Sequence, residues 1–170
     1  VIKDKFQQIL NKTQIEQKTR RIAFQIYERN FEESELIFVG IEGSGYLFAK
    51  MLIDEFKKIA DTPARLALLK LDKEYPVQSD VTLDLEINEL ENKTILVVDD
   101  VLNTGRTLVY SFKPFLNVRV RKLQTIVLVD RQHHKFPVSA DYVGLTLATT
   151  LQEHIQVNLS PEEEMGAFLL

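Results

Sequence analysis

The sequence predicts an α/β fold with a mainly parallel central sheet flanked by helices. Three observations predict it. Apolar runs at 36–41, 94–98 and 122–129, with a strand-like 65–71, read as strands buried on both faces. Amphipathic helical stretches alternate with them. Two glycine-containing turns follow strands at their C-terminal ends, where ligands bind in such sheets.

The elements follow in order. The first twelve residues are weakly patterned. Thr13-Gln14-Ile15-Glu16 has the form of a capping box. It predicts a helix to about Asn30 with Ile15, Ile22, Ala23, Ile26 and Tyr27 on one face and Lys18, Arg20, Arg21 and Arg29 elsewhere. After the 36–41 strand and the turn Glu42-Gly43-Ser44-Gly45, residues 46–60 put Leu47, Met51, Leu52 and Phe56 on one helical face. Residues 72–93 are polar, acidic and broken by Pro76, which predicts a long loop or mobile hairpin. The 94–98 strand leads into Asp99-Asp100 and a helix from about Gly105, which Pro114 kinks or shortens. Shorter β-like pieces follow the fourth strand at 141–147 and 154–159. No repeat or interdomain linker divides residues 1–170, so one domain is expected.

Composition narrows the class. With 45% hydrophobic and 27% charged residues the chain reads as globular, and the absence of cysteine excludes disulfides and thiolate metal sites and suits a reducing compartment. No apolar run approaches the roughly 18 residues a membrane span needs, and no signal-peptide pattern opens the chain, so a cytoplasmic protein without membrane contact is expected. A net charge of −4 does not favour a dedicated nucleic-acid binder, although a local basic face can coexist with it.

The chemistry concentrates in Ile-Leu-Val-Val-Asp-Asp-Val-Leu-Asn-Thr-Gly-Arg-Thr, residues 95–107. A helix opening in this stretch presents unpaired N–H groups, Gly105 permits close approach, and the Thr104 and Thr107 hydroxyls and the Arg106 backbone add donors. Such a cradle suits a phosphate monoester. Asp99 and Asp100 are acceptors, suited to the cis-diol of a ribose whose 5-phosphate lies in the cradle. A bare Asp-Asp pair reads equally as a polar strand end with a solvated neighbour; the whole ordered string is what points to a ligand. Neither a P-loop nor a G-x-G-x-x-G occurs.

This string closely resembles the phosphoribosyl-diphosphate (PRPP) binding motif of type I phosphoribosyltransferases. "VDRQHHKFPVSADYVG" (129–144), "RRIAFQIYERN" (20–30) and "VGIEGSGYLFAK" (39–50) resemble the pyrimidine operon regulators that double as uracil phosphoribosyltransferases. The likeness runs from about Ile9 to Leu159, leaving the first eight and last ten residues outside it.

The resemblance implies transfer of ribose 5-phosphate from PRPP to a base nitrogen, that of uracil in this group, with loss of pyrophosphate. It assigns Asp99 and Asp100 to the ribose and Val101, Leu102, Asn103, Thr104, Gly105, Arg106 and Thr107 to the phosphate loop. It assigns Glu42, Gly43, Ser44 and Gly45 to the pyrophosphate loop, where that group carries basic residues. Arg131 is the candidate cation replacing them. Residues 72–86 match a closing loop with Lys73 and Tyr75 as closers, and a hood at about 136–159 offers Tyr142 or Val143 to the base. Mg²⁺ is implied as cofactor, held mainly by PRPP near Asp99 and Asp100, with no dedicated protein metal cluster. His133 and His134 are expected to be structural. A homodimer is implied. A purine (hypoxanthine-type) transferase and a non-catalytic, nucleotide-sensing RNA-binding regulator are the alternatives. RNA binding is disfavoured because Phe24 replaces a histidine usual in the regulators, and His134 and Ser139 stand where arginines are usual.

Overall fold

Alternation along the strands sorts the core into two layers. The computed structural model describes residues 6–77 and 80–170. The chain runs β1 (Gln7–Asn11), α1 (Lys12–Asn30), β2 (Leu36–Ile41), α2 (Ser44–Ile59), β3 (Ala64–Lys70), β4 (Thr82–Leu83), β5 (Thr94–Leu102), α3 (Arg106–Tyr110), β6 (Lys122–Asp130), β7 (Tyr142–Thr146), β8 (Ile155–Asn158) and β9 (Gly166–Leu169). The main sheet has the order β4-β3-β2-β5-β6-β7, parallel except for β4. Leu36, Phe38, Leu96, Val98, Ile126 and Leu128 face α1 and α2, while Ile37, Val39, Ile95, Val97 and Val127 face Leu90, Leu108 and Phe115 on the other side. That alternation with period two is what a strand covered on both faces requires.

Several boundaries differ from the sequence reading. The capping box sits two residues earlier than expected: the Gln14 N–H donates to Asn11 Oδ1 and the Asn11 N–H to Gln14 Oε1, each at 2.9 Å. Asn and Gln serve this motif as well as Thr and Glu do. The expected loop at 72–93 is ordered in its second half, where β4 pairs with β3 and the Leu68 N–H donates to Asp84 Oδ1 at 2.7 Å. Residues 78 and 79 of the expected lid lie outside the described residues. Pro114 starts a 3-10 turn (Lys113–Asn117) and bends no helix, because α3 has already ended.

The hood is the largest correction. It is a three-stranded antiparallel sheet of order β1-β9-β8, so its middle strand β9 comes from the chain end that the family likeness left out and β1 begins in the other. Only β8 belongs to the expected hood segment. Residues 135 and 136 instead lean on the phosphate loop, both N–H groups donating to the Thr104 carbonyl at 2.8 and 3.1 Å.

Three basic residues of α1 are committed to the fold. Lys18 and Arg21 donate to the Gly144 carbonyl at 3.1 and 2.9 Å, and Arg29 donates to the Asp141 carbonyl at 3.1 Å. They occupy the outer carbonyls in and beside β7, the strand that would otherwise be an open sheet edge. No helix among the described residues is long and apolar enough to cross a membrane.

Candidate active site

β5 positions the carboxylates. It runs four residues further than expected, so Asp99 and Asp100 lie inside the strand, with Asp99 paired against Val127 of β6. Asp99 is buried at 4% exposure. Its Oδ1 accepts the Asp100 N–H at 2.9 Å and faces Lys73 Nζ at 3.4 Å. Burial, and then the charge of Asp100, push its carboxyl up to about 8 against the opposing pull of Lys73. Gly45 explains how α2 approaches so closely: a Cβ there would lie 2.9 Å from Asp99 Oδ1 and 3.0 Å from the Val98 carbonyl.

The phosphate loop follows at once. Gly105 has φ +89°, and a Cβ would lie 2.5 Å from Val138 Cγ1, so backbone conformation and space both require glycine. The Arg106 N–H donates to Thr104 Oγ1 at 3.3 Å, and the Arg106 guanidinium lies 5.6 Å from the Phe136 ring centre. α3 has five residues, too short to build an appreciable macrodipole. The donors here are therefore the loop's own amides and hydroxyls, acting locally.

These groups surround a cavity of about 390 Å³ lined by residues 99–108 together with Lys73, Val127 and Ile155. The structure thus brings together Asp99, Asp100, Val101, Leu102, Asn103, Thr104, Gly105, Arg106 and Thr107. Residues 42–45 do not line this cavity, although Gly45 touches its aspartate. Gly43 is the positive-φ cap of α2, the Ser44 hydroxyl donates to the Val157 carbonyl at 3.2 Å, and Glu42 pairs with Lys70 at 3.6 Å. Of the neighbouring cations, Lys70 of β3 pairs with Glu42 of this turn, and Lys73, in the loop after β3, faces Asp99.

Three expectations are corrected. Arg131 is not a cation facing the 42–45 turn. It is buried at 7% exposure, and its guanidinium donates to Thr149 Oγ1 at 2.6 Å, the Thr150 carbonyl at 2.9 Å and Asn103 Oδ1 at 3.3 Å. Tyr142 is not a pocket wall, because its ring is buried under α1 and its hydroxyl donates to Gln124 Oε1 at 2.9 Å. Val143 points to the opposite layer and packs against the core there. The two histidines hold the loop after β6: His134 Nε2 lies 2.9 Å from Asp130 Oδ1, and His133 Nε2 lies 2.7 Å from the Thr149 carbonyl. Sequence reasoning missed Ile155 as a cavity wall. Its signal was faint, because the sheet that presents it needs β9 from the neglected C-terminal end.

Among the described residues no group of three or more His, Cys, Asp or Glu side chains is arranged to hold a metal ion. Two carboxylates lining one cavity fit a hard cation taking most of its ligands from a bound phosphate ester and water.

Comparison with known proteins places the chain in a family. The family model of the phosphoribosyl transferase domain matches residues 5–162. The chain belongs to the phosphoribosyltransferase family, whose members are PRPP-dependent pentosyltransferases. Within it, the bifunctional protein PyrR of Caldicellulosiruptor bescii is 32% identical over 164 residues, covering 91% of this chain and 88% of that protein. PyrR of Enterococcus faecalis is 35% identical over 158 residues, covering 86% and 85%. Among solved structures, the hypoxanthine phosphoribosyltransferase of Trypanosoma cruzi matches with TM-score 0.79 at 19% identity, covering 96% of this chain and 95% of that one. A hypoxanthine-guanine phosphoribosyltransferase from Bacillus anthracis matches with TM-score 0.71 at 22% identity, covering 83% and 82%.

Proposed function

We propose that the protein transfers ribose 5-phosphate from PRPP to a nucleobase, with uracil as the base, and that it acts as one cytoplasmic domain assembled into a homodimer. The observation that carries the reading is the single cavity shared by Asp99, Asp100 and the 104–107 loop. In the reaction a base nitrogen attacks C1 of the ribose, the C1–O bond breaks, its electron pair leaves with pyrophosphate, and the base nitrogen loses its proton to solvent. Asp99 and Asp100 accept the ribose hydroxyls, and the amides and hydroxyls of 104–107 hold the 5-phosphate in place, so most of the rate comes from positioning. Lys73 places a cation beside the carboxylates where the leaving group's charge develops. Asp99 and Asp100 are the residues that would help hold a Mg²⁺ brought with the substrate, and the ion would supply further neutralisation of pyrophosphate.

Uracil rests on the likeness to the pyrimidine regulators. The solved hypoxanthine enzymes, at 19 and 22% identity, support the fold and not the base. The RNA-regulator reading needs a free basic face, and Lys18, Arg21 and Arg29 are already engaged with carbonyls in and beside β7, while Arg121 and Lys122 pair with Glu33 at 2.8 and 3.1 Å.

Incubation with PRPP, Mg²⁺ and, separately, uracil, hypoxanthine, guanine, xanthine and adenine, followed by chromatography, tests the reading. UMP formation is expected. Formation of a purine nucleotide alone moves the assignment to the purine class. No product, with PRPP still raising the melting temperature, leaves a nucleotide sensor.

A further inference from the structure

Segment 135–138 packs on the phosphate loop but lines none of the cavity that residues 99–108 wall. The Thr104 carbonyl accepts both the Lys135 and the Phe136 N–H, at 2.8 and 3.1 Å, so it is turned toward this segment. Across a trans peptide the N–H points opposite to the C=O, and no peptide bond among the described residues is cis. The Gly105 N–H is therefore turned away from the segment, toward the cavity that Gly105 lines. It donates to no group among the described residues. This peptide is also the one in the loop most free to turn over, because glycine tolerates either sign of φ. A flip would aim a carbonyl at an anion in place of a donor. The segment that prevents it is itself stiff. The Val138 N–H donates to the Phe136 carbonyl at 2.8 Å, a three-residue turn that the fixed φ of Pro137 suits. His133 Nε2 lies 2.7 Å from the Thr149 carbonyl before the turn, and the Thr125 hydroxyl donates to the Ser139 carbonyl at 3.2 Å after it.

We propose that Phe136 and Val138 are positioning residues that lock the Thr104-Gly105 peptide with its N–H aimed at the 5-phosphate. This rests on the functional reading above. Val138 occupies the space a Cβ of Gly105 would take, its Cγ1 lying 2.5 Å from that position. The Phe136 ring meets Tyr110 edge-on at 6.4 Å and carries the Arg106 guanidinium 5.6 Å from its centre, so it grips both sides of α3's first turn. Together they keep the two amides of 135 and 136 on the Thr104 carbonyl. A donor fixed in advance costs no reorganisation when the phosphate binds.

The amide itself can be watched. Thr104-Gly105 is the one Thr-Gly pair in the sequence, so carbonyl-13C threonine with 15N glycine isolates the Gly105 N–H by NMR in the full chain. In the wild type, ribose 5-phosphate is expected to move this proton downfield as it bonds to phosphate oxygen. In Phe136→Ala and Val138→Ala the movement is expected to shrink. Their ribose 5-phosphate affinity, by calorimetry, is expected to fall about tenfold, the worth of one hydrogen bond to a charged group. Phe136→Leu, which restores bulk against Tyr110, is expected to recover most of both. Unchanged affinity, or an undiminished proton shift, in the two alanine variants overturns the inference. So does a wild-type Gly105 proton that stays in place while ribose 5-phosphate binds, a result that needs no variant to fold. Failure of ribose 5-phosphate to bind the wild type is a different result: it removes the functional reading and the inference with it.

Discussion

Two strand-to-helix turns, 42–45 and 102–105, end adjacent parallel strands of the same sheet, yet they are loaded differently. In the turn after β5 the polar groups converge on a cavity, and a buried carboxylate is held there against the cost of desolvation. In the turn after β2 the side chains are already spent, Glu42 on Lys70 and Ser44 on Val157. A site shows itself where structure keeps a costly group that its internal partners, here Lys73 and the Asp100 N–H, compensate only in part; a turn whose polar groups are satisfied within the fold reads as architecture.

The sharpest way to break this comparison is to remove the stored cost. Asp99→Asn with Asp100→Asn is expected to weaken PRPP binding by about 100-fold or more, from the loss of charge-assisted hydrogen bonds. Asn retains the acceptor that Asp99 offers the Asp100 N–H, so the fold survives. The pH dependence carries the sign. The carboxyl of Asp99 is raised to about 8 in the folded state from an ordinary carboxylate value. The folded protein therefore binds the extra proton between about pH 4 and 8, and this contribution to stability is present below that window and lost as pH rises through it. The wild-type melting temperature is expected to fall across this range, and the double variant is expected to fall less and be the more stable protein at pH 8. Unfolding of the variant would make the carboxylates structural.

Gly43 and Gly105 sharpen the comparison next, because both have positive φ, +95° and +89°, but different surroundings. A Cβ at Gly43 meets nothing within 4 Å, whereas at Gly105 it lies 2.5 Å from Val138 Cγ1. Gly43→Ala is expected to cost about 1 kcal/mol, from backbone strain alone. Gly105→Ala is expected to cost about 2–4 kcal/mol, because segment 136–138 must shift as well, and to weaken ribose 5-phosphate binding. Denaturant midpoints measure the first difference and calorimetry the second. Equal costs would mean that segment 136–138 is not seated on the phosphate loop.

How much of this was legible in the sequence differs along the same divide. The sheet and both turns were readable because burial on two faces writes continuous apolar runs, and the motif at 95–107 was readable because ligand chemistry fixes residue types at fixed spacing. The hood was not. Gly166–Leu169 is an apolar tetrapeptide of no distinctive pattern, and only pairing with β1, from the other end of the chain, makes it the middle strand of a sheet. Arg131 was misassigned for a related reason. A sequence shows a cation at a strand end but not which way the guanidinium turns, and its three acceptors, at 103, 149 and 150, are settled by loop packing.

Lys73→Met probes the cation that reaches the loaded turn. The lysine is 44% exposed, so its ion pair with Asp99 is screened and stability is expected to move by less than about 1 kcal/mol. Asp99 loses the group that favours its ionised form, so its carboxyl rises further. PRPP affinity is expected to drop by about five- to tenfold, with ribose 5-phosphate affected less because it lacks the pyrophosphate. An equal loss for both ligands would place Lys73 on the sugar-phosphate side.

Glu42→Gln makes the smallest change and tests the quieter turn. Glu42 and Lys70 are each 56% exposed at 3.6 Å, a pair worth at most about 0.5 kcal/mol, so the melting temperature is expected to stay put. Binding should respond in the opposite direction from every other substitution. Removing a carboxylate that flanks the expected pyrophosphate position, and releasing Lys70 toward it, is expected to raise PRPP affinity by about two- to fivefold at low salt. Screening over a Debye length of about 10 Å at 0.1 M should erase most of that gain as salt is added. A loss of affinity in place of the gain would mean that Glu42 accepts from, or helps hold, the ligand. The turn after β2 would then belong to the loaded class, and the contrast between the two strand ends would fail.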